Sequence, residues 1–115
     1  MRISMMKSKI HRAIVTEANP DYEGSITIDQ SIMESAGIVE YEKVHVLDIV
    51  NGQRIVTYAI AGKPDSGDIC INGAAAKVIN KGDKVIIVSY ADLDVQEIKG
   101  FSPKKVLVDG QNKIL

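Results

Sequence analysis

Residues 44–60 read VHVLDIVNGQRIVTYAI, two apolar runs rich in β-branched residues on either side of Asn51-Gly52. Asn-Gly is a strong signal for a two-residue hairpin turn, because both turn positions can adopt positive φ. Val and Ile are typical of strands, where their branched side chains pack well. This segment therefore predicts a β-hairpin, and it favours a β fold for the chain around it.

Similar apolar runs recur along the chain, separated by Gly, Pro, Asn or Asp. They predict strands near residues 3–18, 25–29, 43–50, 53–61, 67–72, 84–90 and 104–109, with a second turn signal at Asp109-Gly110. Two short helices are expected between strands: residues 30–36, capped by Asp29 and ended by Gly37, and roughly residues 74–79, entered through Asn72-Gly73. The expected fold is mainly β with two short helices.

A faint internal repeat suggests how these strands are arranged. YEKVHV at residues 41–46 aligns with GDKVII at residues 82–87, and each segment follows one of the predicted helices. A helix, a tight turn and a strand would then occur twice. Such duplicated units can close a small barrel with pseudo-twofold symmetry, which removes exposed sheet edges.

Composition limits the class of protein. The chain has 115 residues, 45% hydrophobic and 25% charged, which is typical of a single domain covering residues 1–115. A net charge of -1 without long charged blocks makes nucleic acid and anionic membranes unexpected partners. No apolar run is long enough for a secretory signal or a membrane span, and a lone Cys70 agrees with a reducing compartment. We therefore expect a cytoplasmic protein.

Few residues suggest metal or thiol chemistry. Two His and one Cys, at positions 11, 45 and 70, do not make a tetrahedral ligand set, so no metal is expected. Cys70 is flanked by isoleucines and is interpreted as a small buried hydrophobic residue.

Gly24-Ser25, at a turn before a strand, is open to two interpretations: ordinary turn chemistry, or a peptide bond that breaks.

Charged and polar side chains on two predicted strands suggest an anion site. Arg54 and Tyr58 share one face of strand 53–61, where a guanidinium can hold a carboxylate and a phenol can donate a proton. Thr57 points to the opposite face. Lys9 and His11 share a face of the first strand and add a cation. The alternatives are a surface ion pair for Arg54, packing for Tyr58 and a solvated face for Lys9.

Small residues at 72–76, Asn-Gly-Ala-Ala-Ala, offer backbone N–H groups at a predicted helix start. Such groups can bind a carboxylate. The alternative is a turn whose small residues permit close packing.

Four ordered segments, KSKIHRA at 7–13, YEGSITID at 22–29, NGQRIVTYAI at 51–60 and INGAAA at 71–76, resemble the pyruvoyl-dependent aspartate α-decarboxylase family. Their spacing agrees with that family over most of residues 1–90. The resemblance implies a small double-psi β-barrel, assembled as a homotetramer with active sites between subunits. An accessory maturation protein is a further partner that the resemblance allows.

The resemblance also implies that the chain cuts itself at Gly24-Ser25. The Ser25 hydroxyl would attack the Gly24 carbonyl, and Ser25 would become a covalent pyruvoyl group, the only cofactor required. The products would be residues 1–24, the β chain, and residues 25–115, the α chain. Glycine at 24 is expected to leave its carbonyl accessible in a conformation that other residues resist. Thr57 and Asn72 are implied to assist this step.

The implied reaction converts L-aspartate to β-alanine and carbon dioxide, supplying pantothenate and coenzyme A biosynthesis. The pyruvoyl group at position 25 would accept electrons as pyridoxal phosphate does. Tyr58 is the implied proton donor. The implied substrate-binding residues are Lys9, His11, Arg54, Thr57, Gly73, Ala74 and Ala75, with Tyr22 a further wall residue.

A second hypothesis is a non-enzymatic β-barrel module that binds a small ligand or a protein, with Gly24-Ser25 an uncut turn. Composition alone favours it. The joint occurrence of four ordered segments argues for the decarboxylase instead.

Overall fold

The computed structural model describes all residues from 1 to 115 and shows one sheet of eight strands with three short helical segments. The strands are β1 Arg2–Ile14, β2 Glu17–Asn19, β3 Ser25–Asp29, β4 Lys43–Asp48, β5 Arg54–Gly62, β6 Ile69–Asn72, β7 Lys84–Asp94 and β8 Lys104–Leu107. The helices are α1 Gln30–Ala36, a 3₁₀ helix Gly73–Lys77, and α2 Val95–Ile98. None of the helices is long and apolar enough to span a membrane.

The sheet closes on itself. Its strand order is β2-β6-β3-β5-β4-β7-β1-β8, with parallel pairs β1–β8, β2–β6 and β3–β5 among otherwise antiparallel ones. Strands β1 and β2 lie near opposite ends of this order, yet only Val15 and Thr16 separate them along the chain. Residues 2–19 therefore join the two ends into a small barrel. The predicted mainly β barrel is confirmed, and the parallel pairs agree with a double-psi topology.

The internal repeat is visible as structure. Tyr41 and Gly82 both have positive φ, 72° and 93°. In each turn an acidic side chain accepts from the backbone N–H three residues earlier: Glu42 from Val39 and Asp83 from Asn80, both at 3.0 Å. Strands β4 and β7 then pair antiparallel about Val46↔Ile87, which are equivalent positions of the repeat. The pseudo-twofold axis predicted from the repeat passes through this pair.

Alternation along the strands builds the core. Val44 and Val46 of β4 and Ile69 and Ile71 of β6 are buried, whereas the residues between them are half-buried and face away. Branched aliphatic side chains fill the barrel interior, so few aromatic residues are needed.

The C-terminal end of strand β3 is fixed by polar contacts. Asp29 is 2% exposed, and its carboxylate accepts from the backbone N–H groups of Ser31, Asp65 and Gly67 at 2.8 to 3.0 Å. Helix α1 is thus capped by Asp29, and it ends at Gly37 with φ 68°, both as predicted. This buried cap holds the C-terminal end of β3, whose first residue is Ser25.

Several predicted boundaries are wrong. The turn between β4 and β5 spans residues 49–53 and is closed by Gly52 N donating to Asp48 O at 2.9 Å, with positive φ at Gly52 but not at Asn51. The predicted first strand breaks at residues 15–16 and bulges at Arg12, where φ is 66°. The helix predicted at 74–79 is the 3₁₀ helix, and α2 was not predicted. At the second turn signal Asn112, not Gly110, has positive φ.

Candidate active site

Ser25 lies at the first position of β3, between β5 and β6. It is 6% exposed and pairs with Asn72 across the antiparallel β3–β6 ladder. The Asn72 side-chain nitrogen Nδ2 donates to Ser25 Oγ over 3.0 Å and to Thr27 Oγ1 over 3.1 Å. A donor at Ser25 Oγ stabilises negative charge that develops there when the hydroxyl proton leaves. Two residues implied to act in self-cleavage, Ser25 and Asn72, are therefore in direct contact.

Gly24 does not have the backbone conformation expected of it. Its φ is not positive, and a Cβ added to it would meet no atom within 4 Å. The expectation that residue 24 must be glycine because of a conformation other residues resist is wrong for this structure. The close contact belongs instead to Gly73, whose added Cβ would lie 2.7 Å from Gly24 Cα.

The Gly24–Ser25 peptide separates two clefts. The first, here called the serine cleft, has a volume of about 460 Å³ and is lined by Tyr22, Ser25, Thr27, Tyr58, Cys70 and Asn72, with Glu17, Glu23 and Ile60 at its walls. The second, the threonine cleft, has a volume of about 360 Å³ and is lined by Gly24, Thr57, Asn72, Ala74 and Ala75, with Ile55, Val56 and Val78. Asn72, which holds Ser25, lines both clefts.

Strand β5 sends neighbouring side chains into the two clefts. Thr57 is half-buried and lines the threonine cleft, whereas Tyr58 is exposed and lines the serine cleft. The alternating burial along β5 agrees with the predicted opposite directions of these two side chains. Tyr58 is 38% exposed, and its ring centroid lies 6.5 Å from that of Tyr41. Because β3 and β5 pair in parallel with Ile26 opposite Ala59, the preceding residues Ser25 and Tyr58 occupy neighbouring register positions.

The predicted cationic residues do not reach either cleft within one chain. Arg54 lies four residues before Tyr58, roughly 13 Å along an extended strand. Its guanidinium Nη1 lies 3.2 Å from Nδ1 of His45, whose ring contacts Tyr90 with centroids 4.9 Å apart. Lys9, on β1, is half-buried, and neither of the chain's two ion pairs involves Lys9 or Arg54. Within the chain, neither positive charge has a carboxylate partner.

His11 does not line the cleft that Ser25 lines. It lines a third cleft of about 260 Å³ between β1 and the C-terminal segment, together with Leu107 and Asp109. Its Nδ1 is buried without a hydrogen-bond partner. Burial lowers the pKa of the His11 imidazole, and the nearby charges of Lys9 and Arg12 lower it further. His11 therefore favours the neutral form.

The structure adds residues that the sequence interpretation missed. Thr27 shares the Asn72 amide with Ser25, and the carboxylates Glu17 and Glu23 line the serine cleft. The alternation of side chains along a strand could have indicated Thr27 as a site residue, because it lies two residues after Ser25 on the same strand. Glu17 comes close only through the parallel β2–β6 pair, which no local pattern indicates.

Cys70 is not the buried residue that was predicted. It is half-buried and lines the serine cleft, because Ile69 and Ile71 take the buried face of β6. Burial raises the pKa of its thiol, which keeps Cys70 protonated and weakly nucleophilic. No cluster of three His, Cys, Asp or Glu side chains that could hold a metal ion is present.

Comparison with known proteins places this site in a known family. A family model described as aspartate decarboxylase matches residues 1–115. Aspartate 1-decarboxylase of Clostridium botulinum (strain 657 / Type Ba4) is 58% identical over 114 residues, covering 99% of this chain and 90% of that protein. The protein of the same name from Acetivibrio thermocellus is 58% identical over 115 residues, covering 100% of this chain and 91% of that protein. Another, from Thermoanaerobacter pseudethanolicus, is 58% identical over 113 residues, covering 98% of this chain and 97% of that protein.

The match runs through every element that surrounds Ser25, including β3, β5, β6 and the 3₁₀ helix. A full-length family match and these levels of identity do not favour the non-enzymatic module. The chain belongs to the aspartate decarboxylase family.

Proposed function

We propose that this chain decarboxylates L-aspartate to β-alanine and carbon dioxide, using a pyruvoyl group made from Ser25 by cleavage of the Gly24–Ser25 bond. The names of the relatives support the substrate and the reaction. The observation that carries the proposal for the site is the Asn72 amide bound to Ser25 Oγ at 3.0 Å, beside the bond to be cut. β-Alanine is a precursor of pantothenate and coenzyme A, so the activity would serve that biosynthesis.

Self-cleavage begins at Ser25 Oγ. The hydroxyl attacks the Gly24 carbonyl carbon, an ester forms, the Gly24–Ser25 C–N bond breaks, and the Ser25 nitrogen takes up a proton. Loss of the Ser25 α-proton then expels the Gly24 carboxylate and leaves dehydroalanine, which tautomerises and is hydrolysed to a pyruvoyl group and ammonia. Asn72 supports the first step by orienting Oγ, and Thr57, in the cleft that Gly24 lines, by hydrogen bonding the rearranging carbonyl.

The surroundings of residue 25 fit the proposed group. Conversion removes Oγ and leaves a smaller side chain, so the buried position needs no enlargement. After conversion, the side-chain nitrogen of Asn72 donates to Thr27 Oγ1 alone. Its other N–H is then free to donate to a group in the cleft. When present, the pyruvoyl group supplies an electron sink that stabilises the carbanion left after carbon dioxide departs.

The chain's own residues bind the substrate and move the proton. Tyr58 lines the cleft with Ser25 and is the donor that protonates the α-carbon once carbon dioxide has left. In the threonine cleft, Thr57 and the segment Gly73 to Ala75 offer hydroxyl and backbone N–H donors to a carboxylate. The serine cleft contains carboxylates and no cation, so the charge that holds aspartate has to come from elsewhere.

We propose that Arg54 and Lys9 supply this charge across a subunit boundary in a homotetramer. Both cations lie outside the clefts of their own chain and outside its ion pairs. The same outer face of β5 exposes Val56 by 56% and Tyr58 by 38%, which is typical of a surface that another subunit covers. Arg54 would clamp the substrate side-chain carboxylate, with Lys9 adding positive potential. His11 and Tyr22 would be wall residues.

The experiment that tests the proposal is intact-mass analysis combined with an assay for β-alanine. The purified protein should consist of fragments of 24 and 91 residues, and the larger should react with hydrazines at its blocked amino terminus. Ser25→Ala should remain one chain and produce no β-alanine. A single-chain wild type that turns over aspartate would overturn the proposal. A cytoplasmic location and an accessory maturation protein stay predictions.

A further inference from the structure

Gly24 and Gly73 face each other beside the proposed cleavage bond. The antiparallel β3–β6 register pairs Ile26 with Ile71 and Ser25 with Asn72, so its continuation places Gly24 opposite Gly73. Gly73 has φ +77°, and a Cβ added to it would lie 2.7 Å from Gly24 Cα and 2.9 Å from Gly24 N. Both contacts involve backbone atoms, which cannot swing away as a flexible side chain can. Only glycine at position 73 permits this approach.

The contact is one-sided. A Cβ added to Gly24 would meet nothing within 4 Å, whereas a Cβ added to Gly73 would also lie 3.2 Å from Tyr22 O. The position of the backbone just before the cleavage bond is therefore controlled by the absence of a side chain at residue 73. Its neighbour Asn72 holds Ser25 Oγ on the other side of the same bond.

We propose that Gly73 is a positioning residue for self-cleavage: its bare Cα lets the Gly24 backbone lie where the Ser25 hydroxyl can reach the Gly24 carbonyl. This inference rests on the proposed self-cleavage and adds to it a role separate from substrate binding by the Gly73 amide. A methyl group at residue 73 would push Gly24 away by about 0.7 Å, from 2.7 Å to the 3.4 Å of an ordinary contact. A misplacement of about 1 Å can cost roughly 100-fold in the rate of a reaction between oriented groups.

The test compares variants that separate the contact from the backbone conformation. Gly73→Ala adds the Cβ and strains the positive φ. Gly73→Asn adds the same Cβ in a residue that tolerates positive φ better. Gly52→Ala and Gly52→Asn are the matched controls, because Gly52 has φ +75° and an added Cβ there would meet nothing within 4 Å.

Two readouts are needed. Intact mass after timed expression gives the fraction of chain cut at Gly24–Ser25. Hydroxylamine near neutral pH, added at early times, cleaves the ester formed by the first step. It releases residues 1–24 from chain that has completed the acyl shift but not the elimination, and only this fragment is counted because Asn51-Gly52 and Asn72-Gly73 are also hydroxylamine-sensitive bonds. Circular dichroism and the melting temperature verify that each variant is folded.

Both Gly73 variants should fold, cleave roughly 10- to 100-fold more slowly than wild type, and release less residue 1–24 fragment with hydroxylamine. The Gly52 variants should cleave as wild type does. Wild-type rates and wild-type ester levels in the Gly73 variants would overturn the positioning role while leaving the proposed function intact. Loss of the fold in both Gly73 variants would also overturn it, since Gly73 would then serve barrel stability. An uncut wild type would instead defeat the proposed function itself.

Discussion

Asn72 ties Ser25 to Thr27 through one nitrogen: Nδ2 donates to Ser25 Oγ over 3.0 Å and to Thr27 Oγ1 over 3.1 Å. These two hydroxyls lie two residues apart on β3, so both face the same side of the strand. Asn72 lies opposite Ser25 in the ladder, which fixes its amide beside the proposed nucleophile without help from a loop. The orientation of the Ser25 hydroxyl is therefore built into the sheet register.

The first prediction concerns a variant that lacks the Asn72 donor. Asn72→Ala should leave the barrel folded, because the residue is half-buried, and should slow cleavage at Gly24–Ser25 by roughly 100-fold, the usual effect of deleting one donor at a developing oxyanion. Timed intact-mass measurement checks the rate. Thr27→Val is the control, since it removes the second acceptor and keeps the bond to Ser25. Equal cleavage rates in Asn72→Ala and wild type would contradict the role.

The second prediction concerns Tyr58. Tyr58→Phe keeps the ring and removes the hydroxyl, so self-cleavage should proceed while kcat for β-alanine formation falls by roughly 100- to 10,000-fold, the range for loss of a general acid. Steady-state kinetics on fully cleaved protein measures this. Tyr41→Phe is the matched control: the Tyr41 ring lies 6.5 Å from that of Tyr58, but its hydroxyl has no proposed role in proton donation. A Tyr58→Phe enzyme with wild-type kcat would show that another group donates the proton.

The third prediction tests whether Arg54 acts on another subunit. Arg54→Ala should cleave itself normally, yet show a raised KM and lowered kcat, because its guanidinium is proposed to hold the substrate carboxylate. Ser25→Ala should be inactive for lack of the pyruvoyl group. Mixed oligomers refolded from equal amounts of the two variants should recover about a quarter of wild-type activity, since about a quarter of shared sites would then contain both intact residues.

Lys63→Ala, which removes an exposed cation that has no assigned role, is the control for charge alone. Mixed oligomers with no more activity than the separate variants would show that Arg54 and Ser25 of one site do not come from different chains.

Much of the fold could be predicted from local signals. Asn51-Gly52 marked the hairpin, Asp29 and Gly37 marked both ends of α1, and the repeat at residues 41–46 and 82–87 predicted pseudo-twofold symmetry, which the pairing of β4 with β7 fits. The exact turn around Gly52 was not predictable, because the Asp48 carbonyl selects a five-residue loop through a bond to Gly52 N. The break after Ile14 depends on contacts with residues distant in sequence, such as Val15 N to Asp83 O at 2.9 Å.

The site was predictable only in part for the same reason. The alternation of side chains along β5 correctly separated Thr57 from Tyr58. The resemblance named Asn72 as a residue of the self-cleavage site, and the structure places its amide against Ser25. Parity could not show that Arg54 contacts His45 or that Gly73 touches Gly24, because those contacts depend on the pairing of distant strands. Local patterns give the direction of a side chain, whereas strand register decides its neighbour.

The fourth prediction concerns two buried carboxyl groups, those of Asp48 and Asp83. Asp48 is 2% exposed and Asp83 9% exposed; Asp48 Oδ1 accepts from Val50 N at 2.8 Å, whereas Asp48 Oδ2 is buried without a partner. Burial raises the pKa of Asp48 above its ordinary value of 3.8, and the nearby carboxyl group of Asp83 raises it further. The folded state therefore holds the Asp48 proton more tightly than the unfolded state does.

The raised pKa of Asp48 makes the free energy of unfolding depend on pH, because proton binding and folding are linked. A raised pKa in the folded state contributes stability at low pH, and this contribution is lost as pH rises from 3.8 through the raised value. Asp48→Asn keeps an acceptor for Val50 N and places an N–H donor at the unpartnered position. It should increase the free energy of unfolding at pH 7 by about 1 kcal/mol and remove this pH-dependent loss.

Urea unfolding of Ser25→Ala, with and without Asp48→Asn, measures the difference on a single uncut chain at one protein concentration. Asp109→Asn in the same background is the control, because the pKa of Asp109 is shifted in the opposite direction from that of Asp48. Backbone N–H donors from Lys113 and Gln111 lower the pKa of Asp109, so the stability that its charge contributes is lost as pH falls through the lowered value. If Asp48→Asn is less stable than its parent at pH 7, the buried charge and the unpartnered Oδ2 of Asp48 do not destabilise the fold.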